Sequence, residues 1–158
     1  MFRSTLAACF FAVACASPPD VDALLGGVDA AAGAKDFAGA VQKADAALAL
    51  SSIAAEPAKA WRFESARINA LAAGGKGGDV KSSLERLGSA YPKQVTATTY
   101  LALADKVRAA GDGPGYADLL DAGLKKFPGE SSFQRAIDDM KGSADPEEIE
   151  RLKALGYL

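Results

Sequence analysis

The segment AKDFAGAVQKADAALAL, residues 34–50, combines helical periodicity with unusually small side chains. Its apolar residues recur three and four positions apart, the spacing that places side chains on one face of an α-helix. Ala40, Ala44 and Ala47 stand where a packed helix would normally carry large side chains. We expect a helix whose neighbours approach closely, because small residues at a crossing let two helices pack at short distance.

Composition limits the classes of function that the chain can have. Its 158 residues are 49% hydrophobic, which is enough for one domain with a core. Lysine and arginine number 18 against 20 acidic residues, and no basic run occurs, so we expect no nucleic-acid partner. The chain has no histidine, the commonest general base and metal ligand. The sequence therefore predicts no metal, no cofactor and no catalytic residue.

The first twenty residues, MFRSTLAACFFAVACASPPD, have the layout of a bacterial export signal. Arg3 is a short positive region, and residues 6–14 form an apolar run too short to span a bilayer. Small residues and Pro18-Pro19 follow. We predict a signal peptide over residues 1–16 and a linker over residues 17–20.

Two cleavage patterns compete in this signal, and an uncleaved anchor is a third alternative. The triplet ending at Ala16 fits an A-x-A site, which would release a chain from Ser17. The letters AVAC ending at Cys15 resemble a lipobox, in which Cys15 becomes the lipidated first residue; LAAC ending at Cys9 leaves almost no apolar run before it. We expect lipidation at Cys15 and an exported protein, membrane-anchored at the periplasm or cell surface, and otherwise periplasmic or secreted.

Beyond the signal, helix-length segments alternate with short breaks, and no segment alternates with the period of a strand. Helices are predicted over residues 21–33, 37–50, 58–73, 80–91, 95–110, 116–127 and 131–141. Residues 51–57 are interpreted as a linker, and GGKGGD (74–79) and GDGPG as breaks. A C-terminal helix is predicted within residues 145–158, with Asp145 as cap, Pro146 in the first turn and Glu148 completing a capping box.

The predicted helices repeat in pairs. When residues 63–92 are aligned with residues 100–128, Phe63 falls on Tyr100 and the AAG triplets before each turn coincide. The first pair carries its alanines at the corresponding helix positions. The sequence therefore predicts about three helical hairpins, each near the mid-thirties in length.

These motifs resemble tetratricopeptide repeats. Residues 36–50 are similar to the second helix of such a repeat, with an aromatic residue, an alanine three positions later and another seven after that. The third pair has the family's spacing at Tyr100, Leu103, Ala104, Val107, Leu120, Gly123 and Pro128. Tyr116, Val80 and Ala44 depart from the pattern. The resemblance implies an all-α helical-hairpin solenoid over residues 21–141; the alternative is a generic helical bundle.

The same resemblance implies a concave groove lined by the first helix of each hairpin. The expected groove residues carry an aromatic anchor and mixed charge: Trp61, Glu64, Ile68, Leu71, Thr98, Leu101, Asp105 and Arg108. This composition suits an extended peptide or a partner helix. Two alternatives remain open, namely that Trp61 packs at the edge of the core and that Asp105 and Arg108 form a surface pair within one helix.

The ending EEIERLKALGYL, residues 147–158, resembles the C-terminus of bacterial sulfatase-like enzymes and of some exported repeat proteins. The sulfatase nucleophile motif, Cys or Ser followed by x-Pro-x-Arg, is absent, so the resemblance does not imply that activity. We expect the tail to cap the last repeat, because the ends of a solenoid need covering. The alternative is a tail that docks on another protein.

Three functions are compatible with these patterns. The favoured one is a non-catalytic scaffold of the bacterial cell envelope that binds a protein or peptide. The alternative is an accessory subunit of an envelope enzyme complex acting on sulfated or other polysaccharide. A hydrolase using the acidic pairs Asp138-Asp139 or Glu147-Glu148 is the least favoured, because nothing in the sequence would push their two pKa values apart.

Overall fold

The computed structural model describes residues 20–142 and 145–158. Within those residues the chain forms nine helices and no strand, which confirms the predicted all-α class. The helices are α1 (Val21–Gly33), α2 (Phe37–Leu48), α3 (Ser51–Ala54), α4 (Pro57–Ala73), α5 (Gly77–Ala90), α6 (Ala97–Ala109), α7 (Gly113–Lys126), α8 (Ser131–Met140) and α9 (Pro146–Leu155).

The helices form a continuous array in which chain neighbours pack together. Helix α2 lies against both α1 and α4, and α4 also contacts α1, α5 and α6. Helix α7 is the centre of the C-terminal half, because α5, α6, α8 and α9 all pack against it. Two groups of buried side chains fill the interior, one among α1 to α4 and a larger one from α4 to α9.

The alanines of α2 form its packing face. Ala40, Ala44 and Ala47 are 0%, 0% and 2% exposed, and they belong to the core between α1 and α4. Phe63 of α4 and Ile53 of α3 supply the large side chains of that core. The small side chains of segment 34–50 therefore pack against large side chains on neighbouring helices. The helices lie close together, and both kinds of side chain are buried.

One turn geometry joins α1 to α2, α4 to α5 and α6 to α7. Each turn holds one residue in the left-handed region, with φ of 60°, 66° and 90°, at Lys35, Gly75 and Gly111. In each turn the next amide donates to the carbonyl five positions earlier. This bond pattern ends a helix and reverses the chain within a few residues.

Glycines begin helices where the sequence predicted breaks. Helix α5 starts at Gly77 and α7 at Gly113, inside the two glycine-rich segments. The carboxylate of Asp112 accepts from the amides of Gly77 and Gly115, both at 2.8 Å, so it binds the first turns of both helices. A Cβ on Gly77 would lie 2.6 Å from the Cα of Gly115, so this crossing requires glycine.

Two further predictions about local structure were wrong. The predicted linker over residues 51–57 contains α3, which forms because Ile53 is fully buried against the first core. Glu148 does not complete a capping box in α9. Asp145 accepts from the amide of Glu147, whereas Glu148 turns inward and binds Arg108 of α6.

The N-terminal predictions lie outside the described residues. These are the signal peptide over residues 1–16, lipidation at Cys15, and residues 17–19 of the predicted linker. Asp20, the last residue of that linker, is the N-cap of α1 and accepts from the amides of Asp22 and Ala23. In the part of the chain that the structure describes, no helix is long and apolar enough to cross a membrane.

Candidate functional site

A large concave surface runs across α1, α4 and α6, which lie side by side. It is an open groove of about 700 Å³, called here the three-helix groove. Its lining is mostly small and apolar: Val28, Asp29, Ala32, Phe37, Ser65, Ala66, Asn69, Ala70, Ala73, Lys106, Ala109 and Ala110. The first helix of each of three hairpins thus contributes to one surface.

Hydrogen bonds link three polar residues of the three-helix groove, Ser65, Asn69 and Lys106. The Asn69 Nδ2 donates to the carbonyl oxygen of Ser65 at 2.8 Å, and the Nζ of Lys106 donates to the Oδ1 of Asn69. The carboxamide of Asn69 is therefore engaged through both of its polar atoms. Asp29 is exposed on the α1 wall and Lys106 on the α6 wall, so the two walls carry opposite charges.

An ion pair joins α1 and α4 closer to the N-termini of these helices. The Nη2 of Arg62 lies 2.7 Å from the Oδ1 of Asp22, and both side chains are largely exposed. Arg62 precedes Ala66 by four residues and Asp22 precedes Asp29 by seven, which are spacings within one helix face. This pair therefore bridges α1 and α4 at one end of the three-helix groove.

Phe37 marks the other end of the groove. This half-buried ring, at the start of α2, lines the three-helix groove and also a neighbouring cleft of about 530 Å³. The cleft carries both signs of charge, with Lys35, Lys76, Asp36 and Asp79 among its lining residues.

The residues predicted on α4 belong to packing surfaces and do not line the groove. Ile68 and Leu71 are buried in the larger core. Glu64 is buried and accepts from the Nη1 and Nη2 of Arg86 at 2.8 and 2.9 Å. The hydrogen bond to Glu64 raises the pKa of the Arg86 guanidinium, against the opposing effect of burial. This pair ties α4 to α5.

Trp61 lies at the edge of the core, as the alternative interpretation stated. Its ring centroid is 5.1 Å from that of Tyr91, at the end of α5. The indole is half-buried and packs against the larger core. It also lines a small cleft among α4, α5 and α6, which shares Ser65 and Asn69 with the three-helix groove.

The residues predicted on α6 divide between solvent and the C-terminal helix. Thr98 and Asp105 are exposed, and Leu101 packs against the larger core. Arg108 donates to Glu148 of α9 at 2.9 and 3.0 Å. Burial opposes the charge on Arg108, but the hydrogen bond and the negative charge of Glu148 hold its pKa above the ordinary value. The structure therefore does not bring the four α6 residues and the four α4 residues together into one groove.

The predicted residues of α4 and the groove-lining residues of α4 differ by a rotation about the helix axis. On α4 the groove face runs through Ser65, Ala66, Asn69 and Ala73, which begins one residue after the predicted Glu64. One residue turns an α-helix by about 100°, enough to move a face from a groove to a neighbouring helix. The alanine spacing at Ala66 and Ala73 is the sequence signal that runs along this face.

One member of each acidic pair considered for catalysis, Asp138 on α8 and Glu148 on α9, takes part in an ion pair. Asp138 accepts from the Nζ of Lys141 at 2.7 Å and from the Nε2 of Gln134 at 3.1 Å, and these hydrogen bonds lower the pKa of its carboxyl group. Glu148 is committed to Arg108. Among the described residues, no group of three or more His, Cys, Asp or Glu side chains is placed to hold a metal ion.

Comparison with known proteins identified no relative of the chain. No protein-family model matches the chain, and no match was found among curated proteins or among solved structures.

Proposed function

We propose that the chain is a non-catalytic scaffold of the bacterial cell envelope that binds a protein or peptide in the three-helix groove. The observation that carries the proposal is the groove itself, to which α1, α4 and α6 all contribute. Concave, mostly apolar surfaces with a few placed polar groups are the usual form of binding sites.

The repeated turn supports a tetratricopeptide-like solenoid as the architecture of this scaffold. The left-handed residues Lys35, Gly75 and Gly111 are 40 and 36 positions apart, close to the length of one helical hairpin. Each turn precedes a second helix that packs against the first. In such a solenoid the first helices form one inner surface. The joint contribution of α1, α4 and α6 to one groove supports this architecture.

The chemistry of the lining favours binding over catalysis. Asp29 and Lys106 are the only titratable side chains among the groove-lining residues, and they stand on opposite walls. Lys106 is hydrogen-bonded to Asn69. A catalytic site would need a nucleophile or a general base held against a second functional group, and this lining supplies no such pair.

We also propose that a lipid on Cys15 holds the scaffold at a membrane surface. Six positions separate Cys15 from Val21, the first residue of α1. A chain of that length reaches about 20 Å when fully extended. The three-helix groove would then work close to the lipid headgroups, where an envelope partner is accessible.

Site-specific photo-crosslinking in a bacterial host tests the groove. A photoreactive phenylalanine analogue replaces Ala109, which is exposed in the groove, or Ala46, which is exposed on α2 outside it. We expect one discrete adduct from position 109 and none from position 46, and the recovered partner should bind the purified protein. Equal labelling from both positions, or no adduct from position 109, would contradict groove binding.

Intact mass and metabolic lipid labelling test the anchor. The wild-type chain should carry a lipid on Cys15 as its first residue, and Cys15→Ser should lose the lipid while Cys9→Ser keeps it. An unmodified chain that begins at Ser17 would show that the scaffold is released, and the search for partners would move to periplasmic or secreted proteins.

The C-terminal tail gives no separate support to the accessory-subunit hypothesis. Leu152 of α9 is buried in the larger core, and Leu155 and Tyr157 pack against that core. These apolar side chains are therefore used within the chain, as expected of a helix that covers its neighbour.

A further inference from the structure

The floor of the three-helix groove is smooth over about two helical turns. Ala66, Ala70 and Ala73 follow one face of α4, and Ala109 and Ala110 approach them from α6. From position 66 to position 73 a helix rises about 10 Å. Side chains of this size let an incoming backbone lie close to the floor, since helices pack at 8–10 Å according to the side chains between them.

The polar groups of the groove are poorly arranged for an extended peptide. An extended segment brings unpaired amides and carbonyls, which need partners when they are buried. The one carboxamide of the lining, on Asn69, accepts from Lys106 and donates one of its two N–H groups to Ser65, so it has a single N–H left for a ligand. An α-helix has its backbone groups paired internally and needs only apolar contact along the floor and charged contact at the walls.

We infer that the occupant of the three-helix groove is an amphipathic α-helix of a partner protein, with small apolar residues toward the floor, a basic side chain toward Asp29 and an acidic side chain toward Lys106. The inference rests on the proposed function and specifies its ligand. Asp29 and Lys106 lie on opposite walls and are the charged residues of the lining. A helix with complementary charges at its two edges is therefore held in one rotation about its axis, because like charges across an interface are strongly disfavoured.

Two displayed peptide libraries of equal length separate a helical from an extended occupant. One library varies the exposed positions of an EAAAK-type helical frame, and the other carries proline at every third position, which enforces an extended conformation. Both are selected on the purified full chain, and the selected clones are then measured on Ala109→Trp, which fills the groove, and on Ala46→Trp as the matched control. Circular dichroism verifies that both variants keep the wild-type helix content.

We expect the helical library to supply the binders. Their affinity should fall at least tenfold on Ala109→Trp and stay unchanged on Ala46→Trp. Clones with an acidic edge should weaken on Lys106→Glu, at an exposed position, and should recover when that acidic residue is changed to lysine. Circular dichroism of Lys106→Glu verifies that the variant keeps the wild-type helix content.

The other outcomes are distinguishable. Groove-dependent binders drawn from the proline library would overturn the helical occupant and leave the proposed function standing. Binders of either kind that are indifferent to Ala109→Trp, or no binders from either library, would overturn both proposals. If no change in the peptide restores binding to Lys106→Glu, the assignment of the acidic edge is overturned.

Discussion

Asp112 and two glycines hold α5 and α7 together at their first turns. The carboxylate binds one amide of each helix, at Gly77 and Gly115, and the missing side chains let the two backbones meet. Gly78, the next residue, has open space around the position where a Cβ would stand. Glycine is therefore required at position 77 but not at the adjacent position 78 of the same helix.

Replacing Gly77 and Gly78 by alanine should change stability in opposite directions. Gly77→Ala would place a Cβ 2.6 Å from the Cα of Gly115 and 2.7 Å from the Oδ2 of Asp112, and should lower the free energy of unfolding by about 1–3 kcal/mol. Gly78→Ala meets nothing and should raise it by roughly 0.5–1 kcal/mol, because alanine is the better helix former. Urea unfolding measures both. Equal effects would show that the crossing tolerates a side chain.

Tyr157 should make the fold sensitive to alkaline pH. Burial, reinforced by the hydrogen bond to Asp121 and by its charge, raises the pKa of the Tyr157 hydroxyl from 10.0 to about 12. The folded chain therefore keeps this proton more tightly than the unfolded chain. The resulting stabilisation is complete below pH 10 and is lost as the pH rises toward 12.

Tyr157→Phe should reduce the loss of stability between pH 10 and 12 without abolishing it, because burial also raises the pKa of Tyr100 and Tyr116. Urea unfolding at several alkaline pH values measures this dependence, and absorbance of the phenolate follows the titration itself. Asp121→Asn is the control, because it removes the charge and should lower the pKa of Tyr157. An identical pH dependence in wild type and Tyr157→Phe would contradict the assignment.

At the scale of the element, α9 is fixed to the helices beside it by one buried leucine and two charged pairs. Leu152 is 1% exposed, Glu148 binds Arg108, and Arg151 donates to Asp118 of α7 at 2.7 and 3.0 Å. An amphipathic helix of this length needs such packing, because a helix this short is marginal alone in water.

Truncation of Leu152 should therefore test whether α9 acts as a cap. Leu152→Ala should cost about 2–5 kcal/mol of unfolding free energy, as for other buried leucines. Leu158→Ala, at a side chain that is 54% exposed, should cost less than about 0.5 kcal/mol. Thermal and urea unfolding of both variants gives the comparison. If the two substitutions have equal effects, α9 does not stabilise the fold.

The sequence predicts the positions of the helices better than it predicts which face of each helix packs against its neighbours. Periodicity located the long helices because each buries one stripe of side chains, as Ala40, Ala44 and Ala47 do in α2. It missed α3, because a single turn carries no period, and it misplaced the starts of α5 and α7, because glycine was interpreted only as a breaker. Glu148 was assigned to a local cap because its partner, Arg108, lies forty residues away in the chain.

At the scale of the whole molecule, the groove depends on which face each helix turns toward its neighbours. That rotation is set by contacts between α1, α4 and α6, and residues such as Ile68 and Leu71 look equally suited to a core or to a binding surface. The sequence therefore predicted that the first helices would form a surface. The residues predicted for that surface include ones that pack on α5, in the core and on α9. Small residues, which carry little signal in a sequence, line the actual groove.

The central claim is that a partner lies in the three-helix groove, and alanine methyl NMR tests it most directly. The protein is labelled at its alanine methyl groups and titrated with the partner recovered by cross-linking from position 109. We predict that the resonances of Ala66, Ala73, Ala109 and Ala110 shift, while those of Ala46 and Ala90, which lie outside the groove, do not. Shifts at Ala46 or Ala90 with unchanged groove alanines would contradict the account.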